Sequence, residues 1–423
     1  MARPRKPLAA PRLATVFDHY RKPRVLGLDL LRITASLSII VTHGNAVGAL
    51  GSNWAASIVS DEGYLAVDIF FVLSGWLLTR QVLRMRGSFK STLGLATRFW
   101  MRRWARTIPP YWVALLAIYF LGPWRLNWSA LPQPLELWRG PAGVSSLGYL
   151  ITHALFLQTI IPPNMFSVSW SLVTEEWFYL LLPFVILAAS RVRSWRWLVA
   201  LGLGGLLLPT AIRTVMLLSS SDWGAIRAQP IGRFEGLVVG AMLAAASVAL
   251  PSWQSHILPL RHWLFWLSCP VIAVLLAIGT SDTFWFHSVG LLAFNVGVGL
   301  LIPFLSQLRW WISAPAIAVI GTAFLSELTY PLYLLHSIVP RVAWVQVHGP
   351  TRYLYALASL LILFGLATLL HLGVERPFLA LRDRGAARGR DRWKEPPAGV
   401  RAPAVPQPAL LLGASPAAAK GVG

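Results

Sequence analysis

The sequence predicts an all-α polytopic integral membrane protein of about ten transmembrane helices with no soluble domain. Three observations predict it. Of its 423 residues, 56% are hydrophobic and only 13% are charged, against roughly a quarter charged in soluble domains. Apolar runs long enough to cross a bilayer follow one another from about residue 25 to residue 373. Lysine and arginine collect in alternate loops between those runs, as they do where cytoplasmic loops hold the excess of positive charge. The formal net charge is +21, yet these cations sit between apolar segments rather than on a water-facing module, which excludes a nucleic-acid partner.

A membrane-crossing helix needs about 20 predominantly apolar residues. Candidate spans fall near 25–48, 63–80, 108–122, 166–190, 195–218, 230–250, 263–280, 285–308, 314–340 and 352–373. The expected organisation is a basic cytoplasmic segment at 1–24, a membrane domain at 25–378, and a basic Ala/Pro-rich, disordered cytoplasmic tail at 379–423. The first run carries Asp29 and Arg32 with no small-residue cleavage site after it, so it reads as an uncleaved helix. The charges from Arg80 to Arg106, then Arg191, Arg193, Arg196, Arg261 and Arg309, place both termini on the cytoplasmic side of a bacterial-type inner membrane. Residues 147–160 form a run too short to span, consistent with an interfacial or re-entrant helix.

Ionisable groups inside spans are costly and are usually paired or functional. In helix 1, Asp29 and Arg32 stand i,i+3 and can pair, while His43 follows Arg32 by eleven residues, about 16 Å along a helix. Arg32 is thus expected near the inner leaflet and His43 near the outer. A helix-to-helix hydrogen bond for His43 and a snorkelling role for Arg32 explain them equally well. Asp68 falls at the depth of His43 and could orient an imidazole, or simply cap a neighbouring helix; Ser74 lies near mid-membrane below it. In the fourth span Ser171, Glu175 and Glu176 interrupt an apolar run, and the two glutamates point about 100° apart. In the ninth, His336 returns to the outer level as a second candidate base behind His43. Arg98, Arg102, Arg103 and Arg106 recur at helical spacing beside Trp100 and Trp104. Topology accounts for their charge, and their density also suits a phosphate-bearing ligand.

These segments and their order resemble the acyltransferase-3 family of polytopic membrane acyltransferases, which includes O-antigen and polysaccharide acetylases and macrolide acylases. The carriers are Asp29-Leu30-Leu31-Arg32 followed by His43, the run from Val67 to Gly75, the Arg98–Arg106 cluster, Trp170 to Glu175 with Phe178-Tyr179, the run from Tyr330 to His336, and Val374-Glu375-Arg376-Pro377. The resemblance implies transfer of an acyl group, commonly acetyl, from acetyl-CoA or another acyl-CoA to a hydroxyl on a carbohydrate, glycolipid or glycosylated small molecule. The donor would be a co-substrate, with no permanently bound cofactor and no metal. His43 would match the family's essential histidine, acting as general base with Asp68 or Glu175 orienting it, or carrying the acyl group as an acyl-histidine intermediate. Arg32 and Arg98, Arg102, Arg103 and Arg106 would engage the donor, with His336, Ser171 and Ser74 as secondary candidates. The rival classes are a transporter or flippase of a lipid-linked glycan, in which the buried charges line a substrate path, and a glycan polymerase, which would call for a large outer loop.

Overall fold

A computed structural model describes residues 20, 24–45, 63–86, 91–121, 146–161, 166–192, 194–219, 222–250, 252–277, 284–310, 314–338 and 351–391. Among these residues the chain is helical and carries no strand. The helices are α1 (Leu26–Asn45), α2 (Ala66–Arg86), α3 (Thr92–Leu121), α4 (Ser146–Ala154), α5 (Trp170–Ala189), α6 (Trp195–Ser219), the short α7 (Trp223–Arg227), α8 (Glu235–Ala249), α9 (Arg261–Ala277), α10 (Leu291–Leu305), α11 (Ala316–Leu335), α12 (Thr351–Leu370) and α13 (Arg376–Asp391). Seven segments are long and apolar enough to cross a membrane: Leu26–His43, Gly63–Met85, Trp170–Ala189, Arg196–Ser219, Phe286–Leu305, Ala316–Leu335 and Tyr353–Arg384. Two shorter apolar helices, Glu235–Ala249 and Arg261–Leu276, and the apolar half of α3 after Arg106 fall at the remaining spans predicted from sequence. The protein is therefore an all-α polytopic membrane protein. Leu207, Leu208, Trp263, Trp266, Leu361 and Leu369 turn outward, as they should where the solvent is hydrocarbon.

Two boundaries differ from the sequence reading. The helix α3 begins at Thr92, well before the apolar run, and continues through Pro109 and Pro110, so the arginine cluster rides on the same rigid rod as the span above it. A π-turn at His371–Glu375 joins α12 directly to α13, which carries helix past residue 379 to Asp391. Residues 392–423 lie outside the described residues. The segment at 147–160 forms the nine-residue α4, too short to span, and it packs against α3 through a hydrogen bond from the Tyr111 hydroxyl to the His153 carbonyl of 2.9 Å.

The most extensive helix pairing is between α2 and α8. A Gly-x-x-x-Gly spacing at Gly236 and Gly240 lets the backbones touch. A Cβ at Gly240 would stand 2.0 Å from the Val72 carbonyl oxygen, and one at Gly75 would stand 2.1 Å from that of Leu237. This close approach pins α2, and with it Ser74, against the wall of the bundle. The helices α1 and α11 run parallel, since Asp29 accepts a hydrogen bond from Ser326 at 2.6 Å and His43 meets His336 further along both. One end of the bundle is thus rich in arginine, and the other carries the histidine pair.

Candidate active site

A cavity of about 750 Å³ opens between α1, α2, α3, α5 and α11. Arg32, Arg80, Arg84, Arg102, Arg103, Arg106 and Arg309 line it, together with Ser74, Ser171, Glu175, Tyr330 and Tyr333. The arginines come from four separate stretches of sequence, so the fold concentrates charge that the sequence spreads out. Their surroundings differ. Arg32 stands 3.5 Å from Asp29. Arg106 lies 3.3 Å from the buried Glu375, whose other oxygen contacts His371 at 2.8 Å. His371 also contacts Glu327 at 3.4 Å, and Glu327 pairs with Arg24. This chain of contacts ties the α12–α13 turn to α1, α3 and α11. Arg80 packs its guanidinium 4.8 Å from the Trp76 ring centre. Arg98, one helical turn before Arg102 on the same helix, does not line the cavity.

The inner wall is a polar network centred on Glu175. It accepts hydrogen bonds from Ser74 at 2.6 Å and from the Tyr179 hydroxyl at 2.5 Å. Arg103 stands 3.6 Å away and donates to the Tyr179 hydroxyl at 2.6 Å. Residues 171, 175 and 179 repeat at i,i+4, which aligns them on one face of α5. Glu176 is turned about 100° from that face. It accepts from the Trp104 indole at 2.8 Å and from Thr107 at 3.3 Å, locking α5 to α3. The two adjacent glutamates thus divide into one that lines the cavity and one that fastens helices.

Above this network the cavity is lined by Ser171 and Tyr333, whose hydroxyls lie 2.5 Å apart. The Tyr333 hydroxyl also donates to the Val168 carbonyl at 2.7 Å, so the Ser171 hydroxyl is the donor within the pair. One turn beyond Tyr333, the buried His336 packs on its ring at 5.3 Å between centroids. His336 in turn meets His43 edge to face at 4.7 Å. The His43 Nδ1 lies 3.0 Å from the Ile39 carbonyl. A carbonyl can only accept, so Nδ1 carries the proton and Nε2 carries the lone pair.

The carboxylates expected to orient His43 do not do so. Asp68 is buried and accepts from Arg233 at 2.7 Å and from Asn295 at 3.4 Å. Glu175 is committed to Ser74, Tyr179 and Arg103 as above. A backbone carbonyl, free of desolvated charge, takes the orienting place. Two features of the structure lie outside the sequence expectations, Tyr333 and the buried pair Arg213–Glu235, which lies beside Asp68–Arg233. Arg213 interrupts an apolar run, and that was the signal available. Tyr333 gave none, because a tyrosine in a span reads as packing.

A family model described as an acyltransferase domain matches residues 25–374. YrhL of Bacillus subtilis, named as a candidate peptidoglycan O-acetyltransferase, is 28% identical over 394 residues, covering 88% of this chain and 57% of its own length. The peptidoglycan O-acetyltransferase OatA of Listeria monocytogenes is 28% identical over 209 residues, or 48% of this chain and 31% of the relative. The O-acetyltransferase OatA of Staphylococcus aureus is 33% identical over 171 residues, or 39% of this chain and 25% of the relative. The chain spans a little over half the length of the first of these and a smaller share of the other two. No solved structure matches it.

Proposed function

Because the chain belongs to this acyltransferase family, we propose that it transfers an acetyl group from acetyl-CoA to a hydroxyl of a carbohydrate, with His43 as general base. The observation that carries the reading is the cavity itself. Its arginine-lined side suits the phosphates of a CoA donor, and Ser171 and Tyr333 line it further in, with the His336–His43 contact beyond. A pantetheine arm threaded along Glu175 and Ser74 would bring its thioester to that inner part. The lone pair on His43 Nε2 would take the proton from the acceptor hydroxyl as its oxygen attacks the thioester carbonyl. The carbon–sulfur bond then breaks, and the CoA thiolate takes up a proton. Imidazole suits this role because its pKa lies near the operating pH.

The relatives' names point to peptidoglycan as the acceptor class, with other carbohydrates, glycolipids and glycosylated metabolites sharing the same hydroxyl chemistry. The arginine-rich end would face the cytoplasm, where lysine and arginine gather, and the histidine end would face outward. A transporter or flippase reading draws no support from relatives named for acetyl transfer. The test is label transfer from radiolabelled acetyl-CoA to the glycan fraction of membranes holding the wild type or His43→Ala. Label is expected with the wild type alone. Equal label with both would remove His43 as the base, and label with neither, in folded protein, would overturn the acetyl-CoA reading.

A further inference from the structure

At the histidine end the buried charges nearly cancel. Arg233 faces Asp68 at 2.7 Å, and Arg213 faces Glu235, so two buried arginines are matched by two buried carboxylates. Arg227, the last residue of α7, is a third cation close to them. It is half-buried, and its guanidinium lies 5.7 Å from the Tyr64 ring centre. Among the described residues it has neither a hydrogen bond nor a carboxylate partner. A half-buried guanidinium left in this state carries five N–H donors toward whatever enters, and leaving it without a counter-charge is costly.

Its neighbours are those a sugar ring would need. Trp223 and Tyr64 meet at 6.4 Å between ring centres, Trp223 stacks one face on His287 at 3.8 Å, which leaves its edge to the subsite, and its indole nitrogen has no hydrogen-bond partner among the described residues. Aromatic faces with a polar edge are common in sites that combine apolar contact with hydrogen bonding. The group also lies beside the reaction centre. Gly63 packs so closely on Thr42 that a Cβ there would fall 1.4 Å from the Thr42 hydroxyl, which seats the following Tyr64 against the turn carrying His43. Arg227 is within electrostatic range of Tyr333.

We infer that Arg227, with Tyr64 and Trp223, forms an acceptor subsite that selects a glycan bearing an anionic group, a carboxylate or a phosphate ester, and holds it beside His43. The inference rests on the acyl-transfer reading for its purpose, while its test reads binding alone. Purified full-length protein is titrated, by calorimetry and by tryptophan fluorescence, with the disaccharide of N-acetylglucosamine and N-acetylmuramic acid and with its methyl ester. A second pair, N-acetylglucosamine 6-phosphate and N-acetylglucosamine, separates phosphate from carboxylate. The wild type should bind the charged member of at least one pair about tenfold more tightly than the neutral one, the scale of a charge-assisted hydrogen bond. Arg227→Gln should abolish that preference with the neutral ligand's affinity unchanged, which also reports an intact site, and Arg227→Lys should retain part of it. Trp223→Phe should weaken charged and neutral ligands alike. Equal binding of charged and neutral sugars by the wild type, or a preference that survives Arg227→Gln, would overturn the inference. Absence of acetyl transfer in the wild type would overturn the proposed reaction and leave this binding result standing.

Discussion

The imidazole rings of His43 and His336 meet edge to face with their centres 4.7 Å apart, although 293 positions separate them in the chain. Each ring has its Nδ1 beside a backbone carbonyl of its own helix, Ile39 for His43 and Tyr333 for His336. Both tautomers are therefore fixed locally, and each histidine presents Nε2 away from its helix. In the proposed reaction His336 holds the ring of His43 in place rather than replacing it.

That arrangement predicts unequal losses. His43→Ala should reduce acetyl transfer by at least the 10²–10⁴-fold typical of a general base. His336→Asn should lower kcat by about tenfold with donor KM unchanged, because it loosens the ring without removing the base. Steady-state kinetics on matched amounts of folded protein checks both.

The arginines should separate into two kinds. Arg84→Ala with Arg102→Ala should raise the apparent KM for acetyl-CoA, and raising ionic strength should shrink the wild type's advantage, since exposed charge pairs are screened over about 10 Å at 0.1 M salt. Arg103→Ala should act chiefly on stability instead. It leaves Glu175 without its cation inside the bundle, at a cost on the order of 3 kcal/mol. Thermal unfolding in detergent, set beside the kinetics, distinguishes the two.

Asp68 supplies a sharper test of structure against catalysis. Asp68→Asn strands the buried Arg233 and should destabilise the fold by about 3–5 kcal/mol. Adding Arg233→Gln should recover part of that loss, because no unpaired charge then remains. The measurement is the melting temperature of the single and double variants.

Much of this architecture was legible in the sequence. The spans stand out because hydrocarbon demands long apolar helices, and Asp29, Arg32, His43, Glu175 and His336 stand out because charge in such runs is rare. The start of α3 was not legible, since the cues in its first turns are those of a basic loop, and only packing against α5 shows them to be helix. The partner of Asp68 was not legible either. Depth along a helix placed Asp68 level with His43, but depth says nothing of azimuth, and Asp68 points toward Arg233 in the turn before α8 and Asn295 of α10. Tyr333, whose hydroxyl meets that of Ser171, carries no charge and so left no mark in the hydropathy pattern.

The helix crossing makes a prediction independent of chemistry. Gly240→Val would drive a side chain into the Val72 carbonyl and part α2 from α8, displacing Ser74 from Glu175. The variant should give little monodisperse protein, whereas Gly204→Ala, whose Cβ would meet nothing within 4 Å, should behave as wild type. Size-exclusion chromatography of the two reads the difference.

In the proposed reaction the donor enters at the arginine-lined end and transfer occurs at the histidine end of the same bundle. Sealed vesicles of known orientation test it most directly, with radiolabelled acetyl-CoA confined to one face and glycan acceptor to the other. Labelled glycan should form only when the donor bathes the arginine end and only with His43 present. Product formed equally from donor at the opposite face, or formed by His43→Ala, would contradict the account.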